Sequence, residues 1–318
     1  LVDGPAAHGG SPSLEIDPLP HADAPVLLEP APSPPPRALA RSPERTTLQA
    51  EASVRGALRG LLDVVRTGAG LASRQTQVDH WGKDLSLAAS LRPFGELLFE
   101  RYFRAHVDGV EHVPTGPCIL VANHAGALPL DGPMLHLALR RHRPELQDAR
   151  WLMEDQLFHA PFVGVLANRL GAVRANPENA HRLLDEGRPV IVFPEGVQGL
   201  TRPFSERYQL RRFGRGGYVK IAVRKRVPIV PVALVGGEES TPLLATLPGS
   251  LLGVEYLPIT PPPLPARWHL RFAPPIDLQG APQEPEEDLA WVERTNLGVR
   301  DQIEAMLTDM LRRRASVF

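Results

Sequence analysis

Three short apolar runs constrain this chain more than any other feature: residues 118–122, 190–193 and 229–235. Turn residues flank each of them: Pro117 and Asn123, Pro189 and Pro194, Pro228 and Gly236. Apolar stretches of this length, with no polar alternation, predict strands buried on both faces. Between the runs, apolar residues predict helices over 133–142, 155–170 and 177–187, the last stopped by Gly187. A short alternating segment over 107–113 and a weaker apolar one over 269–273 predict further strands. A long amphipathic helix is predicted over 286–314, with Val292, Val299, Ile303, Met306 and Met310 on its apolar stripe. Acidic residues cluster at its start and Arg312, Arg313 and Arg314 at its end, which complements the helix dipole. Strands alternating with helices predict an α/β fold: a mixed, substantially parallel sheet flanked by helices.

The segment ahead of this pattern differs. Residues 1–48 hold 11 of the 35 prolines, including Pro34-Pro35-Pro36, and cannot bury a core. Helical spacing returns over 48–67 and 84–105, where Pro93 is expected to kink or split the second helix. The expected organisation is a disordered Pro-rich arm (1–47), a helical pair (48–105) and an α/β domain with its C-terminal amphipathic helix (106–318). The pair reads as a membrane-facing platform or as a cover on the sheet. Its apolar residues are no more than a core face needs, which favours the cover.

Composition excludes some classes. A net charge of −1 gives no global pull toward nucleic acid. The single cysteine, Cys118, leaves no internal disulfide and fits a reducing, cytoplasmic setting. No apolar run reaches the length of an ordinary membrane span. The first residue is Leu1 rather than Met, so no expectation about a signal peptide is drawn from it.

The run 118–122 ends abruptly on Asn123-His124, and a loop of small residues and a proline leads to Asp131. His124 is thus expected where a strand leaves the sheet, the usual place for working residues in open α/β folds. A histidine takes a proton near neutral pH, and a carboxylate beside it fixes its tautomer and stabilises its cation. Such a pair suits deprotonation of a hydroxyl that then attacks an acyl group. Both residues also have structural readings: a histidine that only packs, and an aspartate that caps the helix containing Pro133.

Four separated stretches fall into order: Asn123-His124 with Asp131; Gly171-Ala-Val-Arg174; Phe193-Pro-Glu-Gly196; and Val227-Pro-Ile-Val-Pro-Val-Ala-Leu234. In that order they resemble the glycerolipid acyltransferase family, which includes the glycerol-3-phosphate and lysophosphatidate acyltransferases. The resemblance spans roughly residues 84–275. It implies His124 as general base with Asp131 as partner, and Arg174 as a contact to the acceptor's phosphate. It places Glu195 and Gly196 at the acceptor, and Pro228 and Pro231 in a stretch that shapes the site. Asn123, Arg174, Glu195, Gly196, Arg202 and Arg215 form the expected substrate-binding set. Phe213-Gly-Arg-Gly-Gly217 resembles the basic-residue-glycine segment that often follows the third motif. The sequence departs from the family in two places. Six residues, not the usual four, separate His124 from Asp131, as in an extended-loop subgroup. Val197-Gln198-Gly199 replaces the usual small-polar and arginine continuation, for which Arg202 is the expected spatial substitute.

The implied donor is acyl-CoA or an acyl carrier protein, with no cofactor and no metal. The residues agree with this chemistry. No Gly-x-Ser-x-Gly turn is present, and Cys118 sits within a strand ahead of the loop, so direct attack by the acceptor remains. Residues 207–226 carry eight Lys or Arg and no acid. They read either as a solvated face or as a collar for CoA phosphates or anionic headgroups. Without an aromatic platform or binding module, nucleic acid is disfavoured. The expected activity is acyl transfer to a glycerolipid or lysophospholipid-like acceptor at a membrane surface, by a peripherally bound protein. A neutral or amino-lipid acceptor, and a catalytically silent lipid-binding protein, are the alternatives.

Overall fold

The computed structural model describes residues 77–160, 162–249 and 254–318. The arm and the first predicted helix, 48–67, lie outside them. The apolar runs form the strands they predict: β2 (Ile119–Ala122), β5 (Val190–Val192) and β6 (Ile229–Val235). With β1 (His106–Asp108), β3 (Arg150–Met153), β4 (Ala172–Arg174) and β9 (His269–Phe272) they make a seven-stranded sheet. Its order is β1-β9-β6-β2-β5-β3-β4. All neighbours are parallel except β6 and β9. A separate antiparallel hairpin pairs β7 (Ala245–Pro248) with β8 (Tyr256–Ile259).

Strand alternation sorts the core into two layers. Ile119, Val121, Val190, Ile229 and Val235 face one way, toward α5 (Pro177–Asp185), α7 (Gly217–Lys225) and α9 (Leu289–Arg313). Leu120, Ala122, Ile191, Val230 and Leu234 face the other, toward α2 (Asp131–His142), Phe99, Phe103 and Trp268. With both faces covered, the central strands need no polar face, and so their sequences do not alternate. Pro231 fits a central strand because its carbonyl accepts from Ala273 N at 2.9 Å. Within a strand, N–H and C=O of one residue point the same way. Its missing N–H therefore faces the chain leaving β9, not the β2 ladder.

Several expectations need correction. The helix predicted over 155–170 is two helices, α3 (Asp155–His159) and α4 (Val163–Leu170), with Phe162 at φ 62° between them. Segment 107–113 pairs only as β1; Gly109 (φ 69°) then turns it into a 3₁₀ turn, Val110–His112. Pro93 lies inside the unsplit α1 (Leu85–Leu97), which runs on into a π-helical turn, Leu98–Tyr102. The basic run 207–226 is not one solvated face. Its second half is α7, which buries Tyr218, Val219, Ile221, Ala222 and Val223. Two further short helices, α6 (Val197–Leu200) and α8 (Gly237–Ser240), follow β5 and β6.

Candidate active site

The C-terminal ends of the central strands β2, β5 and β6 meet, and the side chains there fix one another. Asn123 closes β2 onto β6: its Oδ1 accepts from Leu234 N at 2.8 Å and its Nδ2 donates to Leu234 O at 3.1 Å. It is fully buried, so it sets the exit direction of the chain. His124 follows. Its ring stacks on Phe193 from the end of β5, with centroids 4.6 Å apart and planes 14° from parallel. Nδ1 of His124 lies 2.9 Å from Oδ2 of Asp131, which also accepts from Ala125 N at 3.2 Å. Leu130 occupies the N-cap of α2, so the carboxylate of Asp131 serves His124 and caps nothing.

The longer loop is accommodated by packing against α8. Ala127 N donates to Thr241 O at 2.8 Å. Gly126 sits at φ 108°, where a Cβ would fall 2.3 Å from Thr241 Oγ1. Six intervening residues thus still bring Asp131 back to His124. Burial pushes the Asp131 carboxyl above its ordinary range, and the hydrogen bond from His124 opposes that.

Glu195 holds the dyad from behind. Its Oε1 accepts from His124 N at 2.9 Å and its Oε2 from Arg211 N at 2.7 Å. Arg202, also buried, bonds to Oε2 of Glu195 and, at 2.5 Å, to Glu238 of α8. Arg202 and Glu195 therefore form a buried ion network behind His124 and do not present charge to solvent. Burial raises the Glu238 carboxyl to about 7 despite Arg202, and the charge of Glu195 adds a smaller push the same way.

A cavity of about 290 Å³ opens in front of His124 and Asp131. Its walls are largely apolar, with Trp151, Leu157, Val192, Phe193, Leu200 and Ile221 among them, and no Lys or Arg among the described residues lines it. Gly196 does line it. Arg174, at the end of the edge strand β4, is off the cavity; it is half exposed, pairs with Asp155 at 3.2 Å and lies over Phe158. Arg215 is exposed between Gly214 and Gly216, both of which line the cavity. His124, Asp131, Glu195 and Arg202 are thus brought together; Gly196 lines the cavity, and Arg174 and Arg215 do not line it but each adjoins residues that do, Ala175 for the first and Gly214 and Gly216 for the second.

Sequence reasoning missed Glu238 and Gly199. A Cβ on Gly199 would approach His124 Cβ to 2.8 Å, so only glycine lets α6 pass behind the ring. Glu238 carried a signal: two acids directly after an apolar strand and a Gly-Gly turn need a partner if they are buried.

The family model described as Acyltransferase matches residues 104–235. The chain is 40% identical over 256 residues to an uncharacterised protein of Mycobacterium leprae, covering 76% of this chain and 70% of that protein. It is 31% identical over 166 residues to a probable 1-acyl-sn-glycerol-3-phosphate acyltransferase of Mycoplasma pneumoniae, covering 44% of this chain and 57% of that one. Among solved structures, the 1-acyl-sn-glycerophosphate acyltransferase of Thermotoga maritima aligns over 84% of this chain and 99% of its own, at 20% identity and a TM-score of 0.46.

Proposed function

This chain belongs to the glycerolipid acyltransferase family and is an acyltransferase; from that premise we propose that it moves a fatty acyl group from acyl-CoA or acyl carrier protein to a hydroxyl of a lysophospholipid-like acceptor. The observation that carries this is the buried His124–Asp131 contact at the wall of an apolar cavity. With Nδ1 engaged by Asp131, Nε2 of His124 is the nitrogen free to take a proton. The acceptor hydroxyl attacks the thioester carbonyl as its proton passes to Nε2. The tetrahedral intermediate then expels the thiolate, which recovers that proton from the imidazolium. No group on the enzyme is acylated, in keeping with Cys118, whose thiol burial pushes up to about 12. The setting that fits this substrate pair is the cytoplasmic side of a membrane, with the protein bound peripherally.

One observation favours a second acceptor class. No described Lys or Arg lines the cavity, and Arg174 is paired with Asp155, so an acceptor without a phosphate, a neutral glyceride or an amino-lipid, suits the walls as well. The test of both readings is release of free CoA from labelled acyl-CoA with lysophosphatidate, monoacylglycerol or a lyso-amino-lipid. Turnover is expected only with an acceptor present. His124→Ala is expected to lose about 10²–10⁴-fold of it, and Asp131→Asn to lose a large part with the fold intact. A soluble, cooperatively folding His124→Ala variant with near-normal turnover would remove the mechanism.

A further inference from the structure

Away from this site, the outer edge of the sheet holds a second cluster of chemically capable side chains. β1 and β9 are parallel with His106 opposite His269, so both imidazoles leave the sheet on one face. Asp108, two residues on from His106, returns to that face. Asp108 sits between the two rings: its Oδ1 is 2.7 Å from His106 Nε2 and its Oδ2 is 2.6 Å from His269 Nε2. One ligand-capable atom from each of the three residues falls within 4.8 Å of the other two. The ring centroids of the histidines are 4.9 Å apart.

We propose that His106, Asp108 and His269 form a divalent transition-metal site, of the zinc class, that clamps the edge strand β1 onto β9. Zinc binds imidazole nitrogen and carboxylate oxygen at about 2.0–2.2 Å, which sets tetrahedral ligand atoms roughly 3.3 Å apart. The contacts to Asp108 need to open by only a fraction of an ångström to admit the ion. His106 is largely exposed, which leaves a solvent-facing fourth position for water. Two imidazoles and one carboxylate are a nitrogen-rich set that selects zinc, cobalt or nickel over magnesium or calcium. Arg271 also faces the cluster, with Nη2 3.6 Å from Asp108, and its charge opposes a cation. Asp309 of α9 holds that guanidinium at 2.7 Å and offsets part of the repulsion. The ligands are 163 positions apart at their extremes, from His106 to His269, so no local spacing announces them.

The consequence is mechanical. β1 is three residues long and bonds to the sheet through β9 alone, so an ion held by both strands raises its resistance to fraying. The test is titration of the full chain with Zn²⁺ by calorimetry and with Co²⁺ by its visible absorption, together with thermal unfolding with and without Zn²⁺. His106→Ala lies at an exposed edge and is expected to fold; His269→Ala, half buried, serves as the second variant. The expected result is saturable binding that includes one equivalent missing from both variants. Affinity at that equivalent should fall by at least the roughly 10–100-fold that loss of an outer-sphere partner costs. Zn²⁺ should raise the melting temperature of the parent but not of His106→Ala, whose acyl transfer stays at the parental level. Binding curves and melting shifts identical in the parent and His106→Ala, or no saturable Zn²⁺ binding in the parent, would overturn the site.

Discussion

At the scale of single residues, the site is an arrangement of buried charges whose protonation depends on one another. Burial raises the Glu238 carboxyl from 4.5 to about 7, against the pull of Arg202. The folded protein then keeps a proton that the unfolded chain releases between pH 4.5 and about 7. Where the folded state binds more protons, stability falls as pH rises, by up to roughly 1.4 kcal/mol for each pH unit in that window. Glu238→Gln removes that dependence while leaving a polar partner for Arg202. The stability of the parent relative to this variant should therefore decline steadily from pH 4.5 to 7, read from denaturant unfolding at several pH values; parallel curves would show that Glu238 does not titrate in that window. His124 and Glu195 were legible in the sequence because they sit in short motifs at strand ends, and Asp131 because it is the first acid after the loop that follows His124. The partner of Arg202 was not, because Glu238 arrives from a different crossover and becomes relevant only once Arg202 is buried.

At the scale of elements, legibility followed burial. β2, β5 and β6 are covered on both faces, and their unbroken apolar runs announced them. β3 was missed because it opens on Arg150 and closes one residue before Glu154, so that its apolar core is only three residues long. Arg150 is tolerated there, fully buried, because Asp79 and Asp148 pair with it. α7 was hidden by charge: Lys220, Arg224 and Lys225 lie among the apolar residues that pack on the sheet. α9 was the most readable element, since its stripe repeats over 25 residues. It also reaches the site: Asn296 donates to Gly214 O at 3.1 Å and holds the glycine loop at the cavity wall. Ile303, fully buried on that stripe, should cost about 2–5 kcal/mol when replaced by alanine. Glu304, the next residue, is exposed and pairs only with Arg300 at the surface, so its replacement by alanine should change stability by no more than about 0.5 kcal/mol. Urea unfolding of the two variants measures both; equal effects would mean that α9 is not docked as described.

At the scale of the whole molecule, the C-terminal ends of the central strands gather the His124–Asp131 pair and the apolar cavity. No described helix is long and apolar enough to cross a membrane. Beside the cavity, α3 contributes Leu157 to the wall, while Phe162, Val163 and Val165 at the start of α4 stay exposed. In the basic run, Arg207, Arg211, Arg224 and Lys225 are ion-paired with Glu239, Glu206, Glu286 and Asp185. Arg212, Arg215, Lys220 and Arg226 make no ion pair among the described residues, and all but Lys220 are exposed. The run is therefore partly neutralised, and a smaller set of cations is left to meet anionic headgroups, each worth about 1 kcal/mol near a charged surface. On the proposal of peripheral attachment, the full chain should bind vesicles containing phosphatidylglycerol more tightly than neutral ones. Screening shortens from about 10 Å at 0.1 M salt to about 3 Å at 1 M, so this preference should fade across that range. Arg212→Glu with Arg226→Glu should abolish the preference and leave soluble acyl-CoA turnover intact, since neither residue lines the cavity. Phe162→Ser should instead lower the binding that survives at high salt. Sedimentation with vesicles at both salt concentrations separates the two contributions; binding indifferent to salt and to the Arg212/Arg226 reversal would leave the basic run no role at the membrane.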